Sequence, residues 1–282
     1  MSNRIAAGIF ALILLFAGCS PKITESSKIK AETDSKAVSP RFVPVAELNT
    51  FIYDTIPQWF LPDDSLYIAG SLPDAAIFLP PPPPSDTTNA LFKEDFARWK
   101  WGKTQRPTAR GRQASQESLF GIVRMCTIYS EVFGFVIHPE TTPAIYQFML
   151  YAGETGYRAT DTAKKKYNRR RPFDLMNESV WGEFDYDLLR LDGSYPSGHT
   201  ALGLTTALAL AEMAPDKKEA ILERGYQYGE SRVIVGAHWQ SDVDAGYKVA
   251  QATFDSMQNS PRYLKHLEAA RKEYEILKNF QK

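Results

Sequence analysis

Three short stretches of the sequence concentrate residues that handle anions and protons. Residues 164–172 read Lys-Lys-Lys-Tyr-Asn-Arg-Arg-Arg-Pro, and residues 193–200 read Gly-Ser-Tyr-Pro-Ser-Gly-His-Thr. Residues 231–242 run from Ser231-Arg232 through Gly236-Ala237-His238-Trp239 to Asp242. In the first stretch, Lys164 and Arg171 stand seven apart, so on one continuous helix they share a face two turns apart. Pro172 ends that helix, and both side chains could then converge on one small anion beyond it. A solvated basic face and a nucleic-acid contact are the other readings of such a run.

In the second stretch, Pro196-Ser197-Gly198 is turn chemistry ahead of the apolar run Ala201–Ala211, which reads as a buried helix. Ser197 is the candidate N-cap. The free N–H groups of Gly198 and His199, with the helix dipole, form an anion seat. Gly198 lets the backbone approach a ligand closely. A plain serine cap beside a surface histidine is the alternative. In the third stretch, Asp242 follows His238 by four residues, one helical turn on the same face. A carboxylate accepting from one ring N–H fixes the tautomer and leaves the other nitrogen a lone pair. Arg232 adds a planar fork suited to phosphate oxygens. A lone His–Asp pair is also a common structural hydrogen bond.

The elements that must position these groups are helical. Apolar spacing of three to four residues marks helices at Leu91–Trp101, Gln116–Phe135, Thr142–Tyr151, Thr155–Asn168, His199–Met213, Lys217–Val235, Asp242–Met257 and Tyr263–Phe280. Gly and Pro punctuate the gaps. The reading is all-α: a single compact helical domain over 46–282, with an irregular N-terminal extension (46–90) wrapped on it. Pro80 to Pro84 form a rigid polyproline strap within that extension.

Ahead of the domain, Arg4 precedes an apolar run from Ile5 to Ala17, too short for the roughly 20 residues of a spanning helix. Residues 1–18 therefore read as a secretory signal. The Ala-Gly-Cys ending resembles a bacterial lipobox with Phe16 where Leu is commonest, which makes Cys19 the expected lipidation site. Residues 19–45, rich in Ser, Lys, Glu and Thr, read as a disordered tether. The expected localisation is exported, as a periplasmic or cell-envelope lipoprotein whose only membrane contact is the lipid on Cys19. Thirty-three basic residues balance thirty-three acidic ones, so overall charge implies no nucleic-acid partner. Cys126 is the remaining cysteine and reads as a buried inert thiol.

Lys-x6-Arg-Pro, then Pro-Ser-Gly-His, then Ser-Arg-x5-His-x3-Asp match, in order, the three-part signature of the type 2 phosphatidic acid phosphatase superfamily, shared with vanadium haloperoxidases. The extended Gly-Ser-Tyr-Pro-Ser-Gly-His-Thr, the continuation at 241–245 and the proline strap resemble the class A bacterial non-specific acid phosphatases. The resemblance runs from about Asp63 to the C-terminus. It implies a broad-specificity phosphomonoesterase, with phosphotransfer as a side activity. By similarity, His238 is the nucleophile, Asp242 orients it, and His199 protonates the leaving alcohol. Lys164, Arg171, Ser197, Gly198 and Arg232 hold the non-bridging oxygens.

No cofactor is required on this reading. No two histidines have metal-ligand spacing and no acids cluster about His199 or His238, so no metal site is expected. Vanadate, which imitates the five-coordinate transition state, is expected to inhibit. The partners implied are small-molecule phosphomonoesters, with a homodimer also within what the resemblance implies. A vanadium-dependent haloperoxidase and a non-catalytic phosphate-binding lipoprotein are the alternatives. A membrane lipid phosphatase needs several spanning helices, and the longest apolar stretch after the leader, Ala201–Ala211, is far too short. His138 and His266, without acid and cation neighbours, read as structural or surface residues, and Trp239 and Tyr195 as packing residues.

Overall fold

A computed structural model describes residues 40–47, 72–182 and 186–281. The leader, Cys19 and the tether up to residue 39 lie outside the described residues. Nine longer helices make up the body among the described residues: α1 (Ala90–Gln105), α2 (Ala109–Gln116), α3 (Ile122–Phe133), α4 (Pro143–Arg158), α5 (Asp161–Tyr167), α6 (Gly198–Met213), α7 (Lys218–Val235), α8 (Gln240–Met257) and α9 (Pro261–Asn279). Among the described residues no strand forms, and the only extended pairing is a bridge between Pro44 and Phe135. The all-α expectation holds.

Helix α6 is the axis of the structure. Its sequence is apolar or small on every side, with no polar stripe, and a helix of that kind is stable only when surrounded. Helices α4, α7 and α8 surround it. They approach closely because small residues stand at the crossings. A Cβ on Gly156 would sit 2.2 Å from Thr205 Oγ1, and one on Gly203 would sit 2.4 Å from the Tyr228 ring. One on Gly246 would sit 2.7 Å from the Ser197 carbonyl. Helix α9 closes the far side against α4, burying Tyr263 and Tyr274 against Phe148 and Phe133. The core is thus continuous around α6, and the N-terminus of that helix is where the three motif stretches meet. No described helix is long and apolar enough to cross a membrane.

Two regions differ from the sequence reading by more than the fraying of a helix end. The stretch expected as one helix from Gln116 to Phe135 begins at Ile122, because Gly121 takes φ +120°, a conformation costly to any residue with a Cβ. Residues 109–116 form a separate helix, α2, capped by Thr108. The two helices expected at 142–151 and 155–168 break instead at Ala159–Thr160, so α4 runs through to Arg158.

The extension packs as expected where it is described. The turn Ala75–Phe78 lies on α5, Lys166 donates to the Ala76 carbonyl at 2.7 Å, and Tyr195 donates to the Pro80 carbonyl at 2.8 Å. Residues 40–45, placed in the tether by the composition of the stretch around them, belong to the body. Val43 is buried, its carbonyl accepts from Val136 N–H, and Arg41 N–H donates to Thr141. Phe42, Val43 and Val45 pack on the core, and they are large apolar residues of the kind in which the preceding Ser- and Lys-rich sequence is poor.

Candidate active site

Helix α5 ends at Tyr167 because Asn168 turns left-handed (φ 37°), and the chain then runs extended into Pro172. Lys164 and Arg171 therefore do not share a helix face, as their spacing predicted. They converge across the turn, on the segment that leads into the second motif. Lys164 Nζ donates to the Gly193 carbonyl at 2.6 Å and lies 2.7 Å from Asp192 Oδ2. Arg171 donates through Nε to the Asp192 carbonyl at 2.9 Å and lies 3.3 Å from the same Oδ2. Gly193 sits where a Cβ would come within 2.9 Å of the Asn168 Cα, so a side chain there would push the two motifs apart.

Ser197 caps α6: its hydroxyl accepts from Thr200 N–H at 3.2 Å and from the Thr200 hydroxyl at 2.9 Å. Gly198, the first helical residue, faces Tyr157 and Lys164, and a Cβ there would meet the Tyr157 ring at 2.7 Å. Lys164 thus lies over the positive end of the α6 dipole. His199 follows, stacked on Tyr228 at 3.9 Å and flanked by Phe120 at 6.0 Å.

His238 does not stand on a helix with Asp242. Helix α7 ends at Gly236 (φ +82°), and the Arg232 carbonyl then accepts from both Ala237 and His238 N–H. This left-handed turn brings His238 back beside Arg232. Helix α8 begins at Gln240, with Asp242 at its third position accepting from the Trp239 N–H at 2.8 Å. That is the carboxylate arm of a capping box, so Asp242 serves the helix end as well as the histidine. Its Oδ2 lies 3.6 Å from His238 Nδ1.

The tautomer of His238 follows from its other nitrogen. Arg171 Nη1 lies 3.0 Å from Nε2, and a guanidinium can only donate. Nε2 therefore presents its lone pair, and the proton is on Nδ1, toward Asp242. Burial, then Arg171, Arg232 and Lys164, hold His238 well below the usual imidazole range, although the Ser194 backbone favours the charged ring. Burial, Arg232 and His238 do the same to His199, with the Glu117 backbone opposing them. Burial and Arg171 pull Lys164 down to about 8, while Asp192 counters. The site is a nest of buried cations around two neutral imidazoles, and a dianion would offset each of these penalties.

The remaining residues singled out in sequence fall outside this cluster. Trp239 is buried edge-on to Phe92, and its indole N–H donates to the Arg170 carbonyl at 3.0 Å. Tyr195 packs under the proline strap. His138 is buried and its Nδ1 accepts from Glu140 N–H, while His266 stacks on Tyr151. Cys126 is buried, and burial pushes its thiol well above the ordinary range. Among the described residues no group of three or more His, Cys, Asp and Glu could hold a metal ion.

The eight residues expected for catalysis and phosphate binding thus face one region, at the N-terminus of α6. The chain matches the PAP2 superfamily over residues 144–254, a segment that holds all eight. It is 40% identical to a non-specific acid phosphatase of Providencia stuartii over 206 residues, which span 73% of this chain and 82% of that protein. It is 36% identical to a non-specific acid phosphatase of Salmonella typhimurium over 235 residues, spanning 82% and 90%. It is 33% identical to an acid phosphatase of Zymomonas mobilis over 202 residues, spanning 72% and 76%.

The chain belongs to the PAP2 superfamily.

Within the superfamily it groups with the bacterial non-specific acid phosphatases, as the extended motifs implied. In this PAP2 chain three supporting residues escaped the sequence reading. Arg169, inside the basic run, is buried and donates to Asp242 Oδ1 at 2.6 Å and to Asp95 Oδ2 at 2.8 Å. Asp95, on α1, also accepts from the Ser241 N–H and hydroxyl at 2.8 and 2.6 Å. Asp192 holds the two cations from the far side. No sequence signal separates Arg169 from its neighbour Arg170, which is the solvated one.

Replacing Arg169 by Met would strand two buried carboxylates, and its loss should cost about 3–5 kcal/mol of stability. Arg170→Met, at an exposed side chain, should stay within about 0.5 kcal/mol. Denaturant unfolding of the two variants, side by side, checks this. Equal midpoints would show that the Arg169 network does not support the fold.

Proposed function

We propose that this acid phosphatase hydrolyses phosphate monoesters by in-line attack of His238 on phosphorus, through a phosphohistidine. The observation that carries the reading is the Arg171–His238 contact, which puts the Nε2 lone pair, rather than a proton, inside a nest of cations. A bound phosphoryl group would take the Arg171 N–H onto its own oxygen and leave Nε2 facing phosphorus. Lys164, Arg171 and Arg232, with the Ser197–Gly198 helix start, would hold the three equatorial oxygens, where charge develops as the group transfers.

The sequence of bonds balances without a redox step. The Nε2 lone pair forms the N–P bond as the P–O ester bond breaks, and His199 gives its proton to the departing oxygen. The ring then carries a positive charge with Nδ1–H toward Asp242. Neutral His199 next takes a proton from water, the hydroxide oxygen bonds to phosphorus, the N–P bond breaks, and phosphate leaves. An alcohol in place of water would give phosphotransfer.

The pH dependence follows from the cations. In the free enzyme, burial and the flanking positive charges disfavour protonated His199. A substrate dianion reverses that balance, so binding and protonation of the general acid are coupled. Because the free-enzyme pKa of His199 is depressed, kcat/KM should fall as pH rises, which gives an acidic optimum. We further read the chain as an exported lipoprotein acylated at Cys19, supported by its leader alone, and as open to dimer formation.

Hydrolysis of an aryl phosphate should persist in excess chelator, be inhibited by vanadate, and vanish in His238→Ala. Turnover that survives in His238→Ala would overturn the phosphohistidine. Bromide peroxidation with added vanadate is the assay that would then distinguish the haloperoxidase reading.

Sulfate, a dianion throughout the range, isolates the contribution of Lys164. A lysine held at about 8 in the empty site and raised by an anion binds that anion best while protonated. Sulfate inhibition should thus weaken above pH 8 by up to about tenfold per unit. In Lys164→Met the same profile should lose that step, and a step that persists would assign it to another group. In cells, Cys19→Ser should move the protein from the membrane fraction to the soluble one. Retention of the variant in the membrane would rule out the anchor.

A further inference from the structure

The groups that hold the phosphoryl leave one side of His199 without an assignment. Tyr228 is fully buried and stacks on the imidazole at 3.9 Å. The exposed ring beside His199 is Phe120, at 6.0 Å between centroids, and Phe120 in turn rests on Tyr157 at 4.9 Å. Tyr157 lies against Gly198, the first residue of α6, so the two aromatics form a lip over the helix start where the phosphoryl group would sit.

This lip is exposed and yet firmly held. Phe120 is 47% exposed and its neighbour Leu119 39% exposed, at a position where burying an apolar ring would be favourable. The loop that carries them is anchored at both ends. Glu117 is buried and binds Arg224 and Ser231, each at 2.5 Å. The Ser118 carbonyl accepts from Arg232 at 3.2 Å, and Ile122 enters the core directly after the left-handed Gly121. The chain therefore fixes the ring in the open while its backbone serves the site.

We propose that Phe120, backed by Tyr157, is a platform for the leaving group, and that it favours phosphomonoesters with an aromatic ring on the ester oxygen. The inference rests on the phosphatase reading above. A leaving oxygen that takes its proton from His199 lies about 3 Å from a ring nitrogen. With Phe120 centred 6.0 Å from the imidazole, a ring attached to that oxygen can reach the roughly 4.5–7 Å centroid range of aromatic pairing. A small aliphatic alcohol on the same oxygen gains little from it.

The test is steady-state hydrolysis of phenyl phosphate and glycerol phosphate by wild type, Phe120→Ala and Phe120→Tyr, with inorganic phosphate as inhibitor. Comparing each variant with wild type on the same ester cancels the difference in leaving-group reactivity. In Phe120→Ala, kcat/KM for phenyl phosphate should fall about three- to tenfold, mostly through KM. Glycerol phosphate turnover and phosphate inhibition should stay unchanged, and Phe120→Tyr should keep the wild-type preference. Phe120→Leu, which keeps apolar bulk without a ring, should behave as the Ala variant does and covers the case in which truncation unfolds the loop. An equal loss on both esters, or no loss on phenyl phosphate, would overturn the platform. Failure of wild type on both esters would overturn the phosphatase reading instead.

Discussion

The constraint on which the rest of the site depends is the burial of like charge. Lys164, Arg171 and Arg232 are each at most 6% exposed and crowd two imidazoles at one helix end. Isolated cations in such a place would lose much of their hydration and repel one another, at a cost of several kcal/mol each. The fold distributes that cost among backbone carbonyls and carboxylates, Asp192 in direct contact and Asp242 at longer range. The carbonyls of Ser118, Asp192, Gly193 and Ala237 each accept from one of the three cations, and Asp192 faces two of them. Those carbonyls are available only where helices stop, which is why the site is built at the ends of α5, α7 and the run before α6.

A second charge system stands behind the first and is nearly closed. Arg169 spans Asp242 and Asp95, and Ser241 completes the ring. Asp242 is thus held at Oδ1 by Arg169 and at Oδ2 by the Trp239 N–H, with the His238 ring beyond hydrogen-bond distance at 3.6 Å. A carboxylate tied in this way has little freedom to follow the ring. It sets an electrostatic orientation for Nδ1–H, while the Arg171 contact at Nε2 completes the definition of the tautomer. The two systems meet at that imidazole, and Asp242 also acts at longer range on Lys164 and Arg171.

The residues at the centre of the site were legible because their types are rare and their order is specific. All eight converge, although two of the local arguments for them were geometrically mistaken. Lys164 and Arg171 were placed on one helix face, and His238 and Asp242 on another, whereas the left-handed turn at Asn168 divides the first pair, and α8 begins only at Gln240, which leaves His238 in the loop before it. The spacing identified the groups; the turns decided how they meet. Asp95 and Asp192 were not legible, since a single acid, whether on α1 or directly ahead of the second motif, carries no periodic or compositional signal. The helical core was readable from apolar spacing. The loop at 117–121 was hidden inside an apolar run, and only the positive φ of Gly121 separates it from α3.

The same charge arrangement explains why a binding site and a proton switch are one device here. With no anion present, Arg232 and Arg171 lower the affinity of both His199 and His238 for a proton and Lys164 lowers that of His238, while each proton would raise the repulsion among the cations. An incoming dianion reverses both signs, so the same binding event that neutralises the cations makes a protonated His199 affordable. Linkage requires the converse: conditions that protonate His199 strengthen anion binding. A site that surrounded its ligand with carboxylate partners instead would hold its cations equally well when empty, but its histidines would no longer sense arrival. Asp192, a single carboxylate shared between Lys164 and Arg171, neutralises that pair only in part and keeps the sensitivity in place.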